Sequence, residues 1–263
     1  MMTNPATDPG DERIDWRGDP VRCDTCAQRL LLFVRKCAPG HACVEDRYAR
    51  RIDRFFDWNP DLANDHVNHK HFEVRAIAAK HADVFRLPAL LDDPEEAVRW
   101  NAVRRLPMRY KKMLRDDPHR EVRIRIAGHL DDADLVQMMQ DSDYYVRLVV
   151  ARRIAPALLG AMMQDEEPEV RRVVASRISP PMPGAMVHDP DPLVRLCVAE
   201  RMTGETISAM RGDVDWRVRH AVASRTSDAE ILRLLTRDQD PLVREMASDR
   251  LYGNDAPHRE MAS

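Results

Sequence analysis

Apolar positions along the chain sit at fixed offsets from a recurring Val-Arg pair. The pair stands at Val74-Arg75, Val98-Arg99, Val122-Arg123, Val146-Arg147, Val170-Arg171, Val194-Arg195 and Val218-Arg219, 24 residues apart at each step, and at Val243-Arg244 after a step of 25. With the Val as position 0 and a turn of 100° per residue, positions 0, +4, +5 and +8 share an arc of about 140°. Those positions are the apolar ones: Val146, Val150, Ala151 and Ile154 in one copy, Val194, Val198, Ala199 and Met202 in another. The pattern predicts one amphipathic helix per period. Self-similarity at this period marks a solenoid, in which each unit buries its apolar face only against its neighbours.

Helix starts are legible as well. Position −3 holds Asp143, Asp191, Asp215 and Asp240, with Pro192 and Pro241 next, the capping residue and first helical position respectively. Arg105, Arg153, Arg177, Arg201, Arg225 and Arg250 at +7 fall in the last turn, where a cation meets the negative helix end. The arginine at +1 lies inside the apolar stripe, so it needs a partner. Asp at −5 (Asp93, Asp117, Asp141, Asp165, Asp189, Asp213, Asp238) offers a carboxylate in the turn before each helix, and the pairs are expected to form a ladder. The remaining ten or so residues per period are crowded with Pro88, Pro107, Pro156, Pro180, Pro181 and Pro183, which excludes a second full α-helix and predicts a short 3-10 turn. Leu90, Leu114, Met138, Met162, Met186, Met210 and Leu235 at −8 read as core packing, not as a methionine ligand set.

Composition agrees with stacked helices: aromatic residues make up 5% and charged residues 32% of the 263-residue chain. A net charge of −3 argues against a general affinity for nucleic acid. The segment 99–125 departs from that average, with ten cations against three acids, a local balance of +7. Arg104, Arg105, Arg109, Lys111, Lys112 and Arg115 are its candidate polyanion patch. No long uninterrupted apolar stretch and no signal peptide is evident, so a cytoplasmic protein without a membrane partner is expected. Phosphate-loop, dinucleotide, nucleophile-elbow and zinc-protease signatures are missing, and a conventional enzyme is not expected.

Four of the five cysteines crowd together as Cys23, Cys26, Cys37 and Cys43, spaced C-x2-C-x10-C-x5-C. Four thiolates suit one zinc ion or an iron–sulfur cluster, and the spacing alone does not choose, although the stretched second pair departs from a zinc ribbon. The intervening AQRLLLFVRK is expected to dock on the first repeat. Cys197, at +3, takes the place of other small apolar residues and is not a candidate ligand. His66, His69 and His71 read as a solvated loop more readily than as a second metal site. The organisation expected is a disordered lead (1–20), the cysteine module (21–43), a degenerate capping repeat (44–68), eight repeats (69–251) and a tail (252–263).

Together, the four cysteines and the 24-residue units resemble the leucine-rich repeat variant family. That resemblance implies an all-α, right-handed superhelical solenoid of α-helices alternating with short 3-10 helices. It also implies a [4Fe-4S] cluster on Cys23, Cys26, Cys37 and Cys43, in place of zinc, and a link to nitrogen-fixing bacteria. HEAT repeats share the Asp-to-Arg spacing but need about 40 residues per unit. Ordinary leucine-rich repeats need a strand motif that is missing here. The favoured function is an interaction scaffold for a protein or other macromolecule, open to redox response. The alternatives are an iron–sulfur nucleic-acid-binding regulator acting through segment 99–125 and an electron-transfer protein.

Overall fold

The eight repeat valines are fully buried, and each lies in the long helix of its repeat. These helices are Phe72–His81, Glu96–Val103, Arg120–Ala127, Tyr144–Arg153, Pro168–Arg177, Pro192–Ala199, Trp216–Arg225 and Pro241–Tyr252. The computed structural model describes residues 13–253; the expected tail lies outside them apart from its first two residues. Among the described residues there is no strand, only isolated bridges at Ile14–Pro20, Asp15–Asp46 and Ala38–Ala42, and no helix is long and apolar enough to cross a membrane. Two compact units are distinguished, Met1–Leu130 and Asp131–Ser263. In the first, the helices Ala49–Trp58, Phe72–His81, Glu96–Val103 and Arg120–Ala127 pack in succession; in the second, Tyr144–Arg153 begins the same kind of stack and Pro241–Tyr252 ends it.

The apolar stripe is as the periodicity predicts. Positions +4, +5 and +8 are buried from Ala78, Ala79 and Ala82 through Val222, Ala223 and Thr226, and the one polar member, Thr226, accepts the Asp228 amide at its hydroxyl. Asp143, Asp191, Asp215 and Asp240 each accept amide hydrogens at the start of their helices.

The second limb is more varied than a 3-10 turn. Where proline intrudes it is 3-10: Val84–Leu90, Pro156–Met162 and Met182–Met186. Where the limb interior lacks proline, a short α-helix forms, alone in Met108–Met113 and Ala229–Leu235, and tightening into 3-10 in Asp132–Leu135 with Val136–Met138 and in Gly204–Ala209 with Met210–Gly212. The ring removes an amide donor and clashes with the preceding turn, so it rules out the α-helical form in the limbs that carry it. All seven residues at −8 are buried, and a second anchor three places earlier, at −11, was not expected: Leu87, Leu135, Leu159, Ile207 and Leu232. Three residues make one 3-10 turn, so −11 and −8 point the same way into the core.

The arginines at +1 form the expected ladder, with a different register. Arg171 sends Nε and Nη2 to the Asp189 carboxylate at 2.8 and 3.0 Å, while Nη1 donates to the carbonyl of Asp165, in its own turn, at 2.7 Å. The carboxylate therefore belongs to the next repeat, and the repeat's own Asp supplies a carbonyl. Arg75–Asp93, Arg99–Asp117, Arg147–Asp165, Arg195–Asp213 and Arg219–Asp238 repeat the fork. Each carboxylate also accepts the amide two residues on, such as Asp191 N–H to Asp189 at 2.9 Å. Arg147, Arg171 and Arg195 are only 6–8% exposed. With hydrogen bonds on both partners, the desolvation of these charges is offset.

A second row runs the other way. Arg at +7 caps the preceding helix, not its own: Arg105 donates to Ala79 and Ala82, Arg201 to Ala175 and Ile178, and Arg250 to Ser224 and Thr226. These are carbonyls left without partners at a helix end. The repeats of Val98, Val170, Val194 and Val218 are thus tied forward by one guanidinium and backward by another, whereas His81 and His129 hold the +7 place in the repeats of Val74 and Val122.

Candidate metal centre

The cysteine segment is built from turns. Cys23 and Cys26 sit in the first, and the chain then makes one helical turn, Leu30–Phe33. That turn ends when Lys36 N–H reaches the Leu31 carbonyl (2.9 Å) and Arg35 N–H the Leu32 carbonyl (3.2 Å), with Arg35 at φ 55°. This is the left-handed cap that turns a chain sharply out of a helix, and it delivers Cys37. A Pro39-Gly40 turn, with Gly40 at φ 79° and closed by the Ala38–Ala42 bridge, then returns the chain to Cys43.

The capping helix Ala49–Trp58 holds this second loop in place. Asn59 donates to the Lys36 carbonyl at 2.7 Å, Arg54 to the His41 carbonyl at 2.9 Å, and the Cys43 amide to the Arg51 carbonyl at 3.1 Å. Sequence reading missed Asn59, an otherwise ordinary polar residue after a helix. Residues 13–20, grouped by sequence with the disordered lead, pack here too; residues 1–12 lie outside the described part. Asp15 is buried and accepts the amides of Arg17 and Asp19 and the Arg17 guanidinium. Burial pushes its carboxyl upward, but those donors outweigh it and hold it below the usual range. Asp46, fully buried, accepts Tyr48 N–H and Arg51 in the same manner.

The four thiols feel one another's charge across the module. Burial pushes Cys23 and Cys26 up. Cys37 and Cys43 share a hydrogen bond that lowers Cys37 and, together with burial, raises Cys43 far above the ordinary thiol range. The Gln28 amide donates to Cys26 Sγ at 3.4 Å, and the Glu45 amide to the Cys43 sulfur. Among the described residues no three His, Cys, Asp or Glu side chains converge closely enough to hold a metal ion by themselves. The donor set nonetheless suits an iron–sulfur cluster: four thiols in one short module, two receiving amide N–H groups of the kind that tune cluster potential. Such a group would supply one-electron chemistry.

Cys197 stands apart on the helix Pro192–Ala199. His66 bonds the Leu62 carbonyl, His69 Nδ1 accepts the His71 amide and its other nitrogen faces Glu45 at 3.9 Å, and His71 stacks on Trp16 with rings 5.3 Å apart. His66 is buried against Phe55 and Phe56 of the capping helix, and His69 and His71 pack Glu45 and Trp16 of the module against the first repeat, so the stretch is not a solvated loop and the three do not converge on one point. In the basic segment Arg99 and Arg105 serve the two ladders, and Arg115 pairs with Asp116 at 2.7 Å. Arg104 is exposed, Arg109 lies over the Tyr110 ring at 4.8 Å, Lys112 is exposed, and Lys111 is half-buried at the −11 place where other repeats put Leu, Ile or Pro. The module's apolar run does not dock on the repeats: Leu30, Phe33 and Val34 are 69%, 82% and 63% exposed. The left-handed cap at Arg35 turns the chain before this helical turn can lie down.

Residues 13–65 match a family model described as the LRV protein FeS4 cluster. An uncharacterized 27.7 kDa protein in the nifB 3' region of Rhodobacter capsulatus is 49% identical over 98 residues, 37% of this chain and 40% of that relative's length. A solved structure described as a leucine-rich repeat variant with a novel repetitive protein structural motif aligns with a TM-score of 0.81 and 40% identity, covering 88% of this chain and 99% of that one. With that likeness running through both the cysteine segment and the repeats, the chain belongs to the leucine-rich repeat variant family and is an iron–sulfur repeat protein.

Proposed function

We propose that this protein is a non-enzymatic interaction scaffold that presents the faces of its long helices to a macromolecular partner, while a [4Fe-4S] cluster on Cys23, Cys26, Cys37 and Cys43 completes its N-terminal module. One observation carries the reading. Both arginine rows are engaged between repeats, yet each unit keeps an apolar groove across consecutive long helices. In the first unit it is a hollow of about 380 Å³ lined by Phe72, Ile77 and Lys80. In the second it measures about 540 Å³ and is lined by Leu196, Trp216, His220 and Leu242. Phe72 and Trp216 stand at the same place, two residues before the repeat valine, and both are exposed. Exposed aromatic side chains over shallow apolar hollows are typical anchors of protein contacts. Photo-cross-linking from positions 72 and 216 in cells tests this: one common partner is expected, lost when Phe72 and Trp216 become Ser with the melting temperature unchanged. No cross-link from either position would overturn it.

Iron, sulfide and zinc analysis after anaerobic purification tests the cluster, with about four irons and four sulfides expected per chain. Stoichiometric zinc without sulfide would replace it by a structural ion.

A second reading, nucleic-acid binding, draws on Arg104, Arg109, Lys111 and Arg125, which belong to neither ladder. Arg125 lies 5.4 Å over the Trp100 ring and Arg109 over Tyr110, pairing exposed cation with aromatic as single-strand binders do. Phosphate contacts would give a steep fall in affinity with salt; no DNA or RNA binding at low salt removes the reading.

A further inference from the structure

We infer that the helical turn Leu30–Phe33 and the residue after it form a docking knob for an acidic protein that carries single electrons. The inference rests on the reading that the neighbouring cysteines hold an iron–sulfur cluster. Leu30, Phe33 and Val34 are the most exposed large apolar side chains of the module. Cations bracket them: Arg29 before, Arg35 and Lys36 after, all exposed and, among the described residues, in no ion pair. The chain as a whole is acidic, at −3, so this cationic collar is local and stands out against its surroundings.

An apolar tip within a cationic collar is complementary to an apolar hollow within an acidic rim. A second copy of the chain does not fit, because a two-fold contact would set collar against collar. A lipid surface is less suitable, because a single turn offers too little apolar surface for stable anchoring. The small footprint instead matches transient redox encounters, which bury less than about 1,200 Å² and rely on charge for their speed.

The position supports the same partner. Arg29 N–H donates to the Cys26 carbonyl at 3.1 Å, and Val34 is three residues from Cys37, so their Cα atoms are within about 11 Å. The knob is thus continuous with two of the four sulfur donors, and a carrier seated on it stands beside the cluster site. The exchange it serves is one electron, with no bond made or broken.

The test uses the full-length, iron-loaded protein and an acidic plant-type ferredoxin as probe, with binding followed by calorimetry at low and moderate salt. Wild type is expected to bind weakly and to weaken with salt. Arg29→Glu with Lys36→Glu should lower affinity at low salt about tenfold or more. Phe33→Ser with Val34→Ser should do the same without changing the salt dependence, iron content or melting temperature. Absence of wild-type binding at low salt, equal binding by the variants, or loss of binding only to phosphatidylglycerol vesicles would overturn the proposal. Iron and sulfide are measured on the same samples. Missing sulfide with binding intact removes the cluster reading and the electron-carrier role, whereas full sulfide without binding removes the knob alone.

Discussion

The cysteine module and the repeats solve the same problem of stability by opposite means. In the repeat of Val170, four stripe residues (Val170, Val174, Ala175 and Ile178) and two second-limb anchors (Leu159 and Met162) are buried, and Arg171 and Arg177 tie it to its neighbours. Residues 13–47 bury Ala42, Cys43 and Val44 with two hydrogen-bonded carboxylates, Asp15 and Asp46, and leave their largest apolar residues outside. The repeats are stabilised by a core that neighbours share; the module has hardly any core, leans on the helix beneath and, on the proposed assignment, would be held together by a cluster on its four thiols. A small domain with so few buried residues folds around its metal.

Removing the metal gives the largest contrast. Chelation, or Cys43→Ser, should abolish amide protection across residues 13–47 in hydrogen exchange while the repeat helices keep theirs; protection lost evenly along the chain would show that the module and the first repeats form one cooperative unit. Cys197→Ser should retain all the iron.

Acid should act on the other side of the comparison. At Asp93 and Asp213 burial raises the carboxyl, but the arginine fork and the backbone amide outweigh it, and at Asp238 the Arg219 fork is the leading cause of a lowered value. Carboxyls whose folded values are depressed contribute fully above the unfolded value of about 3.9 and lose that contribution as pH falls through the folded value. The melting temperature of the repeats should therefore be steady from pH 7 to about 5 and fall steeply below about 4. A decline already under way at pH 6 would point to histidines instead.

Within the repeats, Arg171→Ala should cost about 3–5 kcal/mol in urea unfolding, because Asp189 keeps its burial and loses its fork. A change below about 0.5 kcal/mol, as for ordinary surface residues, would contradict the ladder's importance. Asp191→Ala, which removes only a helix cap, should cost about 1 kcal/mol. Equal costs for the two substitutions would mean that tying repeats together matters no more than starting a helix.

Much of the repeat was legible because burial follows residue type and period: the stripe from Val146 to Ile154, the Asp caps and the −8 anchors needed no coordinates. The register of the ladder was not. In a periodic chain the Asp at −5 of one repeat and that of the next are the same residue type in the same setting, so sequence cannot say whether Arg171 takes Asp165 or Asp189. The same ambiguity hid the reach of Arg201 to the preceding helix. The −11 anchor was obscured by variety, being Leu87, Pro183 and Ile207 in turn, and Lys111 in the basic segment. In the module the cysteines were plain, but an apolar run such as LLLFV reads as buried, and only the backbone at Arg35 shows why it stands out.

The fork also explains how the chain accommodates a change of length. Arg219 reaches Asp238 across 19 residues where every other described fork spans 18, yet its contacts of 2.7 and 2.8 Å are as good as the rest. The additional residue is absorbed between the two, where the second limb becomes the seven-residue helix Ala229–Leu235. Insertions and deletions of single residues should therefore be heritable in the second limbs and purged from the stretch between each Asp at −5 and the Arg six places on, where one misplaced residue would rotate the guanidinium away from both of its partners. Length variation among descendants of this gene would then be confined to one side of every repeat.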